Sequence, residues 1–366
     1  MKLRRIAFIG VRGHYDWVLR AMASLPQMEV AGVCRAGDEP LAPILSWCEA
    51  RGQSPQVFDD HLRMLDAVAP DAAVICGPFE CHAQMAIDCV VRGVHVMLEK
   101  PVALEWSDLE RLHDVASTHP GVHLAALQTA RYQAGFYTAW RLARGGAVGD
   151  VRVVNAQKSY KFGRRTGFYQ NRRTYGGTIP WVGSHAIDWV LWIGGHRVRA
   201  AYATHTAAAH REVAGSMETA AVCHFTLCGD RYASVSIDML RPSSAKTHGD
   251  DRLRVVGTEG VLEVTPGGVV LINANNDGTK PVPLDEPPNL VEDFAAQVEG
   301  RRTALIGWKD SFATTAACLL ARESADEGRP LAAEAYTAIP MKAEKPAVPN
   351  TKESPKNEVA SVASVA

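Results

Sequence analysis

The chain has 366 residues, 47% of them hydrophobic and 22% charged, with a formal net charge of -1. That length suits about two domains of ordinary size. The near-neutral charge and the lack of any Lys/Arg run exclude a field able to track a nucleic-acid backbone, and no apolar run approaches the ~20 residues that span a bilayer.

The opening MKLRRIAFIGVRG is basic and then apolar, but Ile6 to Ile9 is too short for the core of a secretory signal. It reads as a first strand, and the protein is expected in the cytoplasm. The eight cysteines form no C-x-x-C pair. Most stand in apolar strand or helix contexts, where a reduced thiol acts as a small hydrophobe, and no metal site is expected.

In chain order, RRIAFIGV reads as a strand, HYDWVLRAMASL as a helix, MEVAGVCR as a strand and LAPILSWCEARG as a helix. A short QVF edge and a helix around HLRMLDAVA follow. DAAVICGP is strand-like, CHAQMAIDCVVRG helical and VHVMLEKP a strand. SDLERLHDVASTH reads as a helix opened by a capping box, Ser107 with Glu110, and GVHLAALQ as a further strand. Short apolar runs alternating with amphipathic helices predict an α/β domain, a doubly wound parallel sheet of Rossmann type, over residues 1–128.

Past about residue 130 the rhythm changes. GFYTAWRLARGG predicts a helix and DVRVVNAQKSY a strand, followed by a basic, aromatic loop, KFGRRTGFYQNRRTYGG. Strand patterns then come in close succession: RAAYATHT, METAAVCHFTL, RYASVSIDML, DRLRVVGTEGVLEV and GGVVLI. They predict an α+β domain over residues 129–340 with a large, mostly antiparallel open sheet. Two helices, around NLVEDFAAQVEG and WKDSFATTAACLLARESA, are expected to close it. Residues 341–366 lack aromatics, Leu and Ile, which predicts a flexible tail.

Three stretches carry chemistry. In FIGVRGHYDWVL, Gly10 matches the first glycine of a dinucleotide-binding G-x-G-x-x-G, but the second and third positions are Arg12 and Tyr15, and Gly13 is one step late. The loop suits either a phosphate cradle, with Arg12 adding a contact, or a plain tight turn. At the end of the second strand, where an acidic residue would accept ribose hydroxyls, stands Arg35. A cation there favours NADP over NAD; a solvated loop arginine is the alternative. The third stretch, TYGGTIPWVGSHAIDWVLWIGG, puts His185 at the mouth of an apolar helix, as either a satisfied core histidine or a functional one.

The motifs Pro78-x-x-x-His82, Glu99-Lys100-Pro101 at a strand end, and GG…GSHAIDWVLWIGG together resemble those of the Gfo/Idh/MocA oxidoreductases, and the likeness runs from residue 3 to about 335. The resemblance implies a cofactor lying across the first domain, a sugar or cyclitol between the two domains, and a homo-oligomer, dimer or tetramer, built through the second sheet. It implies Lys100 and His185 as the catalytic pair. Gly10, Arg12, Gly13, Arg35, Pro78, His82, Glu99 and Lys100 then fall on the cofactor side. Arg131, Lys158, Tyr169, Trp181 and Asp188 fall on the substrate side, with the basic loop holding Arg164 and Arg165 as a candidate binder of an acidic sugar. The chain departs from the family at its glycine loop, at Arg35 and at Trp181, where relatives usually carry Asp four residues before the histidine. Two functions follow: an NAD(P)-dependent oxidoreductase on a sugar, polyol or sugar acid, or a nucleotide-binding sensor or scaffold that has lost turnover. Retention of both Lys100 and His185 favours the first, because binding alone needs neither.

Overall fold

The computed structural model describes residues 2–163, 165, 167–195, 197–206 and 217–336. Arg164 and the tail expected over 341–366 lie outside the described residues.

The first third folds as β1 (Arg5–Ile9), α1 (Tyr15–Met22), β2 (Glu29–Cys34), α2 (Ala42–Glu49), β3 (Gln56–Phe58), α3 (His61–Val68), β4 (Ala72–Ile75), α4 (His82–Val90), β5 (His95–Leu98), α5 (Trp106–Thr118) and β6 (Leu124–Ala126). The six strands form one parallel sheet in the order β3-β2-β1-β4-β5-β6. Strand order reverses between β1 and β4, and open α/β sheets bind ligands at the carboxyl ends of the strands at such a point. Past Arg5 the two central strands are apolar because helices cover both faces; Ile6 to Ile9 and Ala72 to Ile75 are wholly buried. One local expectation fails. Helix α5 starts at Trp106, its N-cap is Glu105 without a side-chain cap, and the Ser107–Glu110 box does not form. The Trp106 indole donates to Glu323 at 3.0 Å, which holds the residue in the helix rather than before it.

The second part comprises α6 (Ala134–Arg144), β7 (Val151–Lys161), α7 (Arg172–Tyr175), a π-helical turn (Ile179–Gly183) and α8 (Ser184–Gly194). There follow β8 (Val198–Thr206), β9 (Ala220–Leu227), β10 (Arg231–Arg241), β11 (Gly249–Gly257), β12 (Gly260–Thr265), β13 (Gly268–Asn273), β14 (Asn276–Asp277), α9 (Leu290–Val298), α10 (Trp308–Glu327) and β15 (Leu331–Ala332). Nine strands make an open sheet in the order β14-β13-β12-β11-β7-β10-β9-β8-β15, antiparallel except for the β7–β10 pair. Along β10, Ala233, Val235, Ile237 and Met239 are buried while Tyr232 and Leu240 face out, the period-2 alternation of a sheet covered on one face. Helix α8 lies on the covered face, where Trp189 stacks on Phe136 at 3.9 Å and Trp192 on Trp140 at 4.9 Å.

The last two helices do more than close the second sheet. Leu290, Val291 and Phe294 of α9 join the core beneath α1. Helix α10 gives Phe312, Ala316 and Leu319 to the first domain's core and Ala313, Ala317 and Leu320 to the second's. Small and apolar side chains surround the middle of α10, so neither side of it needs to face water. Among the described residues, no helix is long and apolar enough to cross a membrane.

Candidate active site

The mouth of the first sheet is built around two glycines. Gly10 and Gly13 both have φ of 75°. A Cβ on Gly10 would stand 2.5 Å from the Cys76 carbonyl oxygen, and one on Gly13 would stand 2.6 Å from the Glu99 carboxyl carbon. These glycines therefore let the β1–α1 loop lie directly on the ends of β4 and β5. Helix α1 starts at once, and its N-cap residue, His14, gives no side-chain cap to the first turn. That leaves the N-terminal N–H groups of α1 without a side-chain cap, as an anion site requires. Arg12 is buried, 2.5 Å from Glu39 and 3.5 Å from the Phe168 ring centre. Its Nε and one terminal nitrogen are buried without a partner among the described residues. Arg35 follows β2 directly; its half-exposed side chain lies 3.4 Å from Asp59.

His82 has a different place from the one expected. It is fully buried, with Nδ1 2.8 Å from the Pro101 carbonyl and Nε2 3.2 Å from the Gly77 carbonyl. Burial lowers its pKa, so the neutral ring donates to one of these carbonyls and fastens the end of β4 to the strand end that carries Lys100. It holds the crevice's shape and presents no free atom to a ligand. Pro78 precedes it, opening the turn over Phe79–Cys81.

Lys100 and His185, far apart in sequence, meet in the cleft. The Lys100 ammonium donates to the Trp181 carbonyl at 2.6 Å and lies 3.9 Å from Glu99. The π-helical turn makes this possible: the Trp181 carbonyl points into the cleft, where it also accepts the Ser184 hydroxyl at 3.0 Å. Burial pulls the Lys100 pKa down to about 8; Glu99 opposes the fall, while Lys158 and Arg165 add to it. His185 is buried, and its Nδ1 has no partner among the described residues. Burial, then the Lys100 and Lys158 charges, push its pKa well below the ordinary range, so the ring is neutral. Glu99 is ionised despite complete burial. Desolvation favours its neutral acid, but His14, through its backbone N–H at 3.0 Å and Nδ1 at 2.8 Å, and the Lys100 charge outweigh it.

The basic, aromatic loop folds over this cleft. Tyr169 packs on Trp181 at 4.5 Å, the Arg165 guanidinium sits 4.9 Å from the Trp181 ring centre, and Phe168 meets Phe79 edge-on at 5.1 Å. Lys158 is buried against Asp251 at 2.5 Å, with its ammonium 5.1 Å from the Trp189 ring. Arg131 and Asp188 do not join the cleft. Arg131 donates to both Asp188 oxygens at 2.8 and 2.6 Å and to the Leu305 carbonyl at 2.5 Å, and Asp188 also accepts Thr314 at 3.0 Å. A fully buried arginine and carboxylate must satisfy each other, and here they do so with no atom left for a substrate.

Sequence reasoning missed His14 and Phe168. His14 reads as the first residue of an amphipathic helix; its only sequence signal is its position directly after Gly13, where a phosphate loop meets its helix. Phe168 carries no signal until the loop is folded back over Arg12.

Residues 4–126 match the family described as "Oxidoreductase family, NAD-binding Rossmann fold", and residues 136–263 match "GFO/IDH/MocA C-terminal domain". A solved structure of a putative oxidoreductase from Thermotoga maritima is 38% identical, with a TM-score of 0.84 over 90% of this chain and 99% of that one. A D-glucoside 3-dehydrogenase of Escherichia coli is 26% identical over 52% of this chain and 54% of its own length. A glycosyl hydrolase family 109 protein of Akkermansia muciniphila is also 26% identical, over 40% of this chain and 31% of its own. The likeness to these two curated relatives thus spans about half of one and a third of the other.

Proposed function

Because the chain belongs to the Gfo/Idh/MocA family of NAD-binding Rossmann-fold oxidoreductases, we propose that it moves hydride between a nicotinamide cofactor and a hydroxyl-bearing carbon of a sugar, polyol or sugar acid. The observation that carries this reading is the meeting of a buried Lys100 whose pKa lies near 8 with a neutral His185 carrying an unpartnered ring nitrogen. An amine that loses its proton near neutral pH is a usable proton acceptor, and a neutral imidazole can orient a hydroxyl.

The first domain's residues fit a dinucleotide. Gly10 and Gly13 leave room for backbone to approach phosphates, Arg12 has buried donors to spare, and the N-terminus of α1 is open. Bound nicotinamide supplies the acceptor or donor of hydride. Lys100 takes the alcohol proton during oxidation and returns it during reduction. His185 holds the reacting hydroxyl toward Lys100. Arg165 offers a charge to a carboxylate, while Trp181 is buried with Tyr169 and Arg165 packed against its ring and serves as a wall rather than an open platform. In this reading residues 1–128 hold the cofactor and residues 129–340 the substrate.

Arg35 supports NADP as the preferred cofactor, since a half-exposed guanidinium held only loosely to Asp59 directly follows the second strand, and an arginine in that region of a Rossmann domain can accommodate a 2′-phosphate. The outer face of the second sheet exposes Tyr202, Val222, Tyr232 and Leu240, which supports a homo-oligomer joined through that face. The test of the function is direct. Titrate NADH and NADPH by fluorescence, then follow nicotinamide absorbance against a panel of polyols, sugars and uronic acids, with Lys100→Met as the control. Cofactor binding with substrate-dependent turnover in the wild type alone supports the reading. Cofactor binding with no turnover across the panel moves the protein to the sensor class.

A further inference from the structure

The mechanism above leaves one group beside the cleft without a role. His14 bridges three parts of the site. Its backbone N–H and its Nδ1 both reach the Glu99 carboxylate, at 3.0 and 2.8 Å. Its ring stands edge-on to His185, centroids 5.2 Å apart. Its side chain is 23% exposed, whereas the side chains of Glu99 and Lys100 are 1% and 5% exposed. Gly13 is what permits the contact, since any side chain there would strike the Glu99 carboxyl. His14 is thus the member of this group that water reaches, and it is held by the carboxylate that faces Lys100.

We propose that His14 is a positioning residue that sets how much of the Glu99 charge Lys100 feels, and so how tightly Lys100 holds its proton. Glu99 has one carboxylate to share between two neighbours, the His14 ring 2.8 Å away on one side and the Lys100 ammonium 3.9 Å away on the other. A hydrogen bond or a positive charge from His14 draws the carboxylate's charge away from Lys100, and a protonated His14 also repels the ammonium. Both effects ease the proton off Lys100. The other charged and titratable groups around Lys100 and His14 do not share this position. Lys158 on β7 is matched by Asp251, Arg165 on the loop lies over Trp181, Cys318 on α10 is a buried thiol held protonated, and His185 is neutral. Among these described neighbours, Glu99 is the carboxylate nearest Lys100, so control over Glu99 is control over Lys100.

The inference rests on Lys100 being the proton carrier, and it is tested without turnover. In the full chain labelled with ¹³C-lysine, the Lys100 Cε resonance, assigned by its loss in Lys100→Met, is titrated with pH. Glu99→Gln removes the opposite charge and is expected to lower the Lys100 midpoint by about one pH unit or more. His14→Phe keeps a ring against His185 and the backbone N–H to Glu99 but removes the side-chain donor, and it is expected to raise the midpoint, by about half a unit to one unit. His14→Gln restores a donor without a charge, and its midpoint is expected between wild type and His14→Phe. Shifts of opposite sign from the two neighbouring residues are what a purely structural role would not give. An unchanged or lowered midpoint in folded His14→Phe and His14→Gln proteins overturns the proposal. Turnover retained by Lys100→Met would instead overturn the function it rests on and leave the titration standing.

Discussion

Two groups of buried polar side chains behave in opposite ways. Arg131 and Asp188 form a closed set, with every nitrogen of the guanidinium and both carboxylate oxygens bonded inside the protein. Lys100, His185 and Arg12 form an open set: the amine is held to one carbonyl, and ring and guanidinium nitrogens are left over. Both sets are buried. What separates a structural charge from a functional one here is unfinished hydrogen bonding, because a fold has no reason of its own to leave a buried donor or acceptor unmet. In one dimension the two sets look alike, since Asp188 stands one helical turn from His185.

The largest test of this contrast is in the open set. Lys100→Met should fold and bind cofactor, while kcat falls by about 10²–10⁴, the usual worth of a positioned acid or base. Near-normal kcat would place Lys100 with the structural charges. In the closed set the effect should appear in stability. Asp188→Ala strands a buried guanidinium and should cost about 3–5 kcal/mol in urea unfolding, because the uncompensated charge is what destabilises. A loss under about 1 kcal/mol would mean that the pair is weakly engaged, as exposed ion pairs are.

A smaller effect sharpens the comparison through pH. With Lys100 titrating near pH 8, the free amine that accepts a proton is scarce below that pH and abundant above it. Alcohol oxidation should therefore rise with pH and level off above about 8, and carbonyl reduction should fall over the same interval. Steady-state rates in both directions check this, and a flat oxidative profile from pH 6 to 9 would exclude Lys100 as the acceptor. The smallest effect is at the rim. Arg35→Ala should weaken NADPH by roughly ten-fold, the worth of one charge-assisted contact, and leave NADH nearly unchanged. Equal losses for both cofactors in fluorescence titrations would remove Arg35 from the phosphate.

How much of this was legible in one dimension follows the same divide. The parallel sheet could be read because buried strands and amphipathic helices alternate with distinct periods, and Lys100 because its Glu99-Lys100-Pro101 motif at a strand end resembles that of a known family. The second sheet could be read from its alternation. What could not be read was partnership. Nothing local distinguishes Arg131, which closes on Asp188, from Arg12, which keeps spare donors; nor does local pattern show that His82 ties two strand ends together. The π-helical turn was equally hidden, since Ile179 to Gly183 carries no pattern of its own, yet it aims the carbonyl that holds Lys100. His14 was hidden because its role comes from Glu99, 85 residues away.

Helix α10 has a consequence for how the protein is made. Phe312, Ala316 and Leu319 complete the core of a sheet whose last strand ends at Ala126. A chain leaving the ribosome therefore exposes an apolar face of its first domain while nearly two hundred further residues are synthesised. That interval is long at the speed of translation, and it is when unpaired apolar surface is open to aggregation or to chaperones. Helices α9 and α10 arrive last and cover that surface, so a stop codon placed before Trp308 would damage the nucleotide end of the molecule, although every residue of its parallel sheet had already been made.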